Sequence, residues 1–299
     1  MINFLQNCLD GAMIGSSYSL LAISFTIIFG IMGRINLALG PSIMLGAFLG
    51  TWAFINLEVS PWTVAMVTII ATILIGIYVE RLCFWAIRRD VAMASMVSSF
   101  AIWMQLEEIA LNLLPERTYP FPKLFVSGTI EIGPFFLRYE HLVTFGIAML
   151  SMLGLAFLLY RSRFGLALRA VSESRKTAAY MGIDPNKIIF WTFILVSFFG
   201  GIAGYLLLAT DQQITPNFGL WATLKGLIAM MLGGMGSLVG AVIGGVVIGI
   251  IEAQTQWYLG NAYRDLSVYV VLFVMLIFHP GGLLGNQFAH KADIKFKRV

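Results

Sequence analysis

Nine stretches of this chain are apolar over about the length a helix needs to cross a bilayer, and nothing else in the sequence constrains the fold as tightly. They lie at about 4–29, 36–56, 61–80, 91–114, 139–160, 188–210, 219–232, 238–257 and 264–279, against the roughly 20 apolar residues that span a hydrocarbon core. Of the 299 residues, 59% are hydrophobic and only 11% charged, with a mean hydropathy of +0.86. A soluble domain carries roughly 25% charged residues, so water is not the main solvent of this chain. Backbone N–H and C=O groups in lipid must find partners within the protein, which for segments of this length means α-helices. The expected fold is an all-α polytopic membrane protein, a bundle of 8–10 transmembrane helices with broken or half-helices and an internal repeat, forming a single domain over 1–299. The first stretch is too long for a cleavable signal peptide, and Asn3, Gln6, Asn7 and Asp10 make its start too polar.

The basic residues set an orientation. With the N-terminus outside, 14 Lys and Arg side chains fall on the inner side and 4 on the outer, with Lys225 inside a span. The positive-inside rule then puts the C-terminus, with a basic tail over 286–299, in the cytoplasm. Trp52, Trp62, Trp221, Trp257, Tyr258 and Tyr263 fall near the outer interface, where amphipathic rings anchor. The net charge of +4 is concentrated in loops and suits anionic lipid, not nucleic acid. Cys8 and Cys83 fall near opposite faces, so no disulfide is expected between them.

Two regions interrupt apolar periodicity with glycine and proline: Gly33 to Gly50 in the first half and Gly226 to Gly249 in the second. Interrupted apolar segments in corresponding positions point to a transporter whose pathway runs past the breaks. The candidate pathway residues are Asn36, Gly40 and Ser42 in the first region, and Gly233, Gly234, Gly236 and Ser237 in the second. A second reading is close helix packing, because Gly236, Gly240 and Gly244, and separately Gly245 and Gly249, recur every four residues. The stretch 219–232 is short for a crossing and is open to being a half-helix.

The loop from Arg161 to Lys187 is too long and too patterned for a plain connector. Ser174 is placed to cap a short helix over Arg175 to Met181, Gly182 to stop it, and Asp184 with Pro185 to start the next span. Such a helix, with Ala178 and Ala179 and flanking Arg169, Glu173, Arg175 and Lys176, offers a rigid shape to a cytoplasmic partner. A basic loop held against lipid headgroups is the alternative. On the other side, Phe125 to Ile132, around Ser127 and Gly128, alternates as in a small hairpin or an amphipathic cover over the bundle, with a simple connector as the alternative.

Four ionisable residues fall within apolar stretches: Glu107, Glu108, Lys225 and Glu252. All lie toward the outer half, where they are expected to snorkel or face water, and no paired deep acidic site is expected. The chain has no GxxxxGK[ST] phosphate loop, no HExxH and no Cys/His cluster, and His141, His279 and His290 are scattered. Neither catalysis nor a metal site is expected, and any ATP hydrolysis must come from another chain.

Four segments carry a family resemblance: LDGAMIGSSYSLL at Leu9 to Leu21, INLALG at Ile35 to Gly40 with Leu45-Gly46-Ala47 after it, RAVSESRKTAAYMGID at Arg169 to Asp184, and GGMGSLVGAVIGG at Gly233 to Gly245. Over nearly its whole length the chain resembles the permease subunits of branched-chain amino-acid ABC importers, the Liv type, and LivH more than LivM. The resemblance implies a bacterial inner-membrane protein that pairs with a second, homologous permease subunit. It further implies two cytoplasmic ATPases, which carry the ATP and Mg, and a periplasmic or tethered binding protein; no cofactor is bound by this chain. The loop helix would then be the coupling helix, with Arg169, Glu173, Ser174, Thr177, Ala178, Ala179 and Gly182 at the ATPase contact, and substrate would cross by alternating access. One departure stands out: the general importer loop motif has three residues between its Glu-Ala-Ala and its Gly, whereas Thr177-Ala178-Ala179 precedes Gly182 by two. The competing reading is an ion-coupled secondary transporter or channel working alone. Within the importer reading, urea, amides and small carboxylates are the alternative substrates.

Overall fold

The computed structural model describes residues 2–85, 92–114, 118–123, 128–132, 135–279 and 281–284. The basic tail over 286–299, the loop cations Arg88, Arg89 and Arg117, His290, and residues 125–127 of the expected hairpin lie outside the described residues.

Helices form at all nine apolar stretches: α1 (Ile2–Met32), α2 (Leu39–Leu57), α3 (Pro61–Val79, continued by a π-helical turn over Glu80–Trp85), α4 (Ala92–Leu113) and α5 (Tyr139–Arg161), then α8 (Pro185–Asp211), α9 (Phe218–Gly233), α10 (Leu238–Tyr258) and α11 (Arg264–Phe278). Between α5 and α8 lie two polar helices, α6 (Arg163–Glu173) and α7 (Arg175–Tyr180). Among the described residues there are also four short strands: β1 (Tyr119–Pro120), β2 (Thr129–Ile132), β3 (Phe135–Arg138) and β4 (Gln213–Ile214). The protein is therefore a polytopic helical membrane protein. Among the described residues seven helices are long and apolar enough to cross a membrane: α1, α2, α3 with its π turn, α5, α8, α10, and α11 with the turn before it. α4 has the length but carries Gln105, Glu107, Glu108 and Asn112 in its second half. α9, with 16 residues, is about 24 Å long at 1.5 Å per residue, short of the roughly 30 Å hydrocarbon core.

The chain forms two compact units, each built from separate stretches. The first comprises Met1–Thr26, Phe125–Ile147 and Leu224–Val299; the second comprises Ile27–Leu124 and Ala148–Thr223. In the first unit, small residues bring α1 and α10 into backbone contact. A Cβ on Gly11 would sit 2.7 Å from the Gly249 carbonyl, and one on Gly15 would sit 2.9 Å from the Gly245 carbonyl. Ser19 adds a hydrogen bond across the same seam, from Oγ to the Val242 carbonyl at 2.8 Å. Glycine at these positions is thus a packing requirement. A hairpin forms further along the chain than the expected 125–132, with β2 paired antiparallel to β3 and Thr129 opposite Arg138. The Gln6 amide grips its return strand, donating to the Phe136 carbonyl at 2.7 Å and accepting from the Phe136 N–H at 3.1 Å.

The second unit packs α2, α3, α4 and α8 on one another. Gly46 and Gly50 of α2 face Thr72 and Thr68 of α3, and Gly76 of α3 faces Ser197 of α8, each so closely that a methyl group would overlap the opposing hydroxyl. Thr72 directs its hydroxyl to its own helix, donating to the Thr68 carbonyl at 2.8 Å, so the close approach of Gly46 does not leave that donor unsatisfied. A short pairing absent from the sequence reading, β1 with β4, joins the segment after α4 to the end of α8.

Candidate functional site

Both interrupted regions are true breaks. α1 ends at Met32, Gly33 turns the chain with φ +62°, and α2 starts six residues later at Leu39. Asn36 is spent on that restart, its Oδ1 accepting from the Ala38 N–H at 3.0 Å. Arg34 is buried and donates to Ser95 Oγ of α4, and the Leu37 N–H reaches Ser99 Oγ at 3.4 Å. Ser42 is buried and donates back to the Ala38 carbonyl at 2.6 Å. Gly40 lies against the start of α9, where a Cβ would strike Thr223 Oγ1 and the Gly219 carbonyl. Three of the predicted pathway residues are thus gathered at one break, two of them buried with their polar groups engaged locally.

The second break lies in the other unit. α9 ends at Gly233, Gly234 and Gly236 take φ +107° and +90°, and Ser237 caps α10 by accepting from the Gly240 N–H at 3.1 Å. Gly233 and Gly240 touch backbone to backbone, and a Cβ on Gly244 would strike the Ala229 carbonyl. Gly236 does not belong to that packing series: it is an exposed turn residue held in the left-handed region, where L side chains are strained. The chain after α11 returns here, the Leu283 and Leu284 N–H groups donating to the Leu232 and Gly233 carbonyls at 2.9 and 3.1 Å. Those carbonyls end a helix and have no acceptor role within it.

The 161–187 loop is two helices. Ser162 caps α6 by accepting from the Gly165 N–H at 3.0 Å, and Leu168 and Val171 turn inward. This helix was missed in the sequence, although Ser162 followed by spaced apolar residues was its signal. Ser174 then caps α7, accepting from the Thr177 N–H at 3.3 Å and the Thr177 hydroxyl at 2.9 Å. Gly182 takes φ +82° at the far end, and Asp184 caps α8 over Pro185, accepting from the Asn186 N–H at 2.9 Å. Ala178 is fully buried, so it seats α7 on the protein and is not available to a partner as expected; Ala179 and Thr177 are exposed. Arg169 and Glu173 are also exposed, the Arg169 guanidinium 5.7 Å from the Tyr160 ring. The residues that project furthest were not anticipated: Tyr180 is 90% exposed and Met181 65%. Large apolar side chains held in the open are atypical of a merely solvated loop.

Burial also corrects the reading of two ionisable residues. Lys225 and Glu252 do not snorkel: they are 1% and 2% exposed and form a direct ion pair. Around them in the same unit, Lys225 Nζ lies 3.0 Å from Asp265, Arg264 Nε donates to Glu252 at 2.8 Å, and the Tyr18 hydroxyl donates to Glu252 at 2.8 Å and accepts from Arg264 at 2.9 Å. Two cations and two carboxylates thus neutralise one another across α1, α9, α10 and the start of α11. No sequence spacing shows this, because the partners are up to 246 positions apart (Tyr18 to Arg264). Glu108 is exposed and Glu107 accepts from the Trp103 indole at 3.0 Å on its own helix.

Comparison with known proteins gives one answer. Residues 7–279 match the family described as branched-chain amino acid transport system / permease component. The chain is 30% identical over 301 residues to the high-affinity branched-chain amino acid transport system permease protein BraD of Pseudomonas aeruginosa, covering 97% of this chain and 98% of that protein. It is 30% identical over 300 residues to the permease protein LivH of Escherichia coli K12, covering 96% and 97%. Against LivM of the same organism it is 25% identical over 315 residues, covering 93% of this chain and 70% of that protein. Among solved structures it shares its fold, at a TM-score of 0.55 and 16% identity over 92% of this chain and 87% of that one, with a chain described as a metal-chelate type ABC transporter in an inward-facing conformation. Two glycine-broken helix pairs, a capped loop helix and this likeness along the whole sequence agree: the chain belongs to the family of branched-chain amino acid transport system permease components.

Proposed function

We propose that this chain is a membrane-spanning subunit of an ABC importer that carries branched-chain amino acids into the cytoplasm by alternating access. The observation that carries the proposal is the end-to-end match to permease proteins of high-affinity branched-chain amino acid transport systems. In this reading a second, homologous permease pairs with the chain, two ATPases bind and hydrolyse ATP with Mg, and a binding protein delivers the substrate. α7 is the ATPase docking helix: its register is set by Ser174 and Gly182, Ala178 anchors it, and Thr177, Ala179 and Tyr180 face the partner with Arg169 and Glu173 beside them. Asn36, Gly40, Ser42, Gly233, Gly234, Gly236 and Ser237 belong to the breaks that flank the pathway. The 14 to 4 excess of inner basic residues orients the chain in the bacterial inner membrane with its N-terminus outside and its C-terminus in the cytoplasm.

The buried Lys225–Glu252 pair is the one observation that favours an ion-coupled carrier, since intramembrane charges mark ion paths. Against it, the cluster is internally neutral, with Arg264 and Asp265 completing two cations and two carboxylates. Purification of the tagged chain in mild detergent tests the two readings. Recovery of a second permease and ATP-hydrolysing subunits, with ATP-dependent uptake of labelled leucine, is the expected result. A chain that is isolated alone and transports on an ion gradient would reject the importer, and uptake of urea in place of leucine would reject the substrate class.

A further inference from the structure

We infer that Arg175 is a positioning residue that ties α7 to the end of α1, and through it to the α1–α2 break; the inference rests on the reading of α7 as the ATPase docking helix. The last carbonyls of a helix have no acceptor role within it, and Gly33 turns the chain away directly after α1, its own N–H satisfying the Phe29 carbonyl at 2.7 Å. The neighbouring carbonyl of Ile31 instead accepts from Arg175 Nη2 at 3.3 Å, across 144 positions of sequence. A cation there also meets the negative end of the α1 dipole.

Both ends of this link are held. On the α7 side, the Ser174 cap fixes the turn that carries Arg175, and the Ile183 N–H closes the helix on the Ala178 carbonyl at 3.0 Å. On the α1 side, the break is fastened to α4 through Arg34 and Ser95 and to the start of α2 through Asn36. α7 is short and closed at both ends, so a displacement at its exposed Tyr180 end moves it as a unit. The guanidinium then carries that displacement to the last turn of α1, next to the residues that break the helix. A long cationic donor reaches this carbonyl while keeping its stem in α7.

The experiment is labelled-leucine uptake per ATP hydrolysed, measured in proteoliposomes holding the full complex with its binding protein, for wild type, Arg175→Met and Arg175→Lys. Methionine keeps the length of the side chain and removes the donor. The expected result is a ratio lowered at least about fivefold in Arg175→Met, the low end of coupling between sites, with the ATPase subunits still present in wild-type amounts. Arg175→Lys is expected to keep at least half the wild-type ratio. An unchanged ratio in Arg175→Met overturns the inference, and so does loss of the ATPase subunits, which would make Arg175 part of the docking contact itself. If Arg175→Met does not accumulate, Arg175→Lys and Arg175→Gln decide in its place. A ratio kept by lysine and lost by glutamine upholds the link, and equal ratios overturn it. A wild-type preparation without ATPase subunits overturns the importer reading and this inference with it.

Discussion

At Lys225 the protein holds a cation out of water with Glu252 as its direct partner and Asp265 as its link toward solvent. Such a cluster contributes little net stability when whole, because desolvation offsets attraction, yet removing one member leaves a buried charge uncompensated. Lys225→Met is therefore expected to cost about 3–5 kcal/mol, read as a fall in yield and in the unfolding temperature of the detergent-solubilised protein. The pair Lys225→Met with Glu252→Gln is expected to cost less than the sum of the two single changes, because both act on one interaction. Strict additivity would show that the two side chains do not depend on each other. Glycine positions make a second test at this scale. Gly240→Leu places its side chain into the Gly233 backbone and is expected to abolish assembly, measured as recovery of folded protein. Gly236→Ala, strained only through φ +90° in an exposed turn, is expected to cost about 1–2 kcal/mol and to leave assembly intact.

Helices α6 and α7 show how an element takes its function from its ends. α7 has six residues, far fewer than the ~12–15 at which isolated helices become even marginal in water. It persists because Ser174 supplies a cap, Gly182 a left-handed stop and Ala178 a buried foot. Ser174→Ala is expected to cost about 1 kcal/mol of local stability, seen as faster amide exchange over 175–180. Two neighbouring alanines separate seating from docking. Ala179→Arg adds bulk on the exposed side, and is expected to abolish ATP-driven uptake while the protein inserts and accumulates normally. Ala178→Arg forces a charge into a buried position and is expected to lower accumulation itself. If both variants behave alike, the two sides of α7 are not distinct.

At the scale of the whole molecule the chain forms two compact units that are interleaved in sequence: α1, α5 and α9 each begin in one and end in the other. The charge excess predicts a topology that labelling can check. A cysteine replacing Tyr180 is expected to react with an impermeant thiol reagent only from the cytoplasmic side, and one replacing Tyr258 only from the outside, with Cys8 and Cys83 first replaced by serine. Reaction of both from the same side would reject the orientation. α9 belongs to this scale too. At about 24 Å it does not match a bilayer core, and its last two carbonyls, those of Leu232 and Gly233, accept from the chain after α11.

Apolar length and turn chemistry are local properties, and they were legible in the sequence: the nine helices, the Gly33 and Gly234 breaks, and the Ser174, Gly182 and Asp184 signals of the short loop helix. The family segments were legible for the same reason, being contiguous runs of residues. What only the tertiary structure decided is which distant groups meet. Glu252 and Lys225 read as separate snorkelling charges, because nothing local tells a carboxylate that a lysine 27 positions away will face it. Ala178 and Ala179 are identical in sequence terms, and packing alone sends one inward and leaves the other exposed. Gly236 and Gly240 share a four-residue period, yet one turns the chain and the other carries the close approach of two helices. Arg175 joins the same class: its place at the end of α1 is a long-range contact that no spacing within the loop announces.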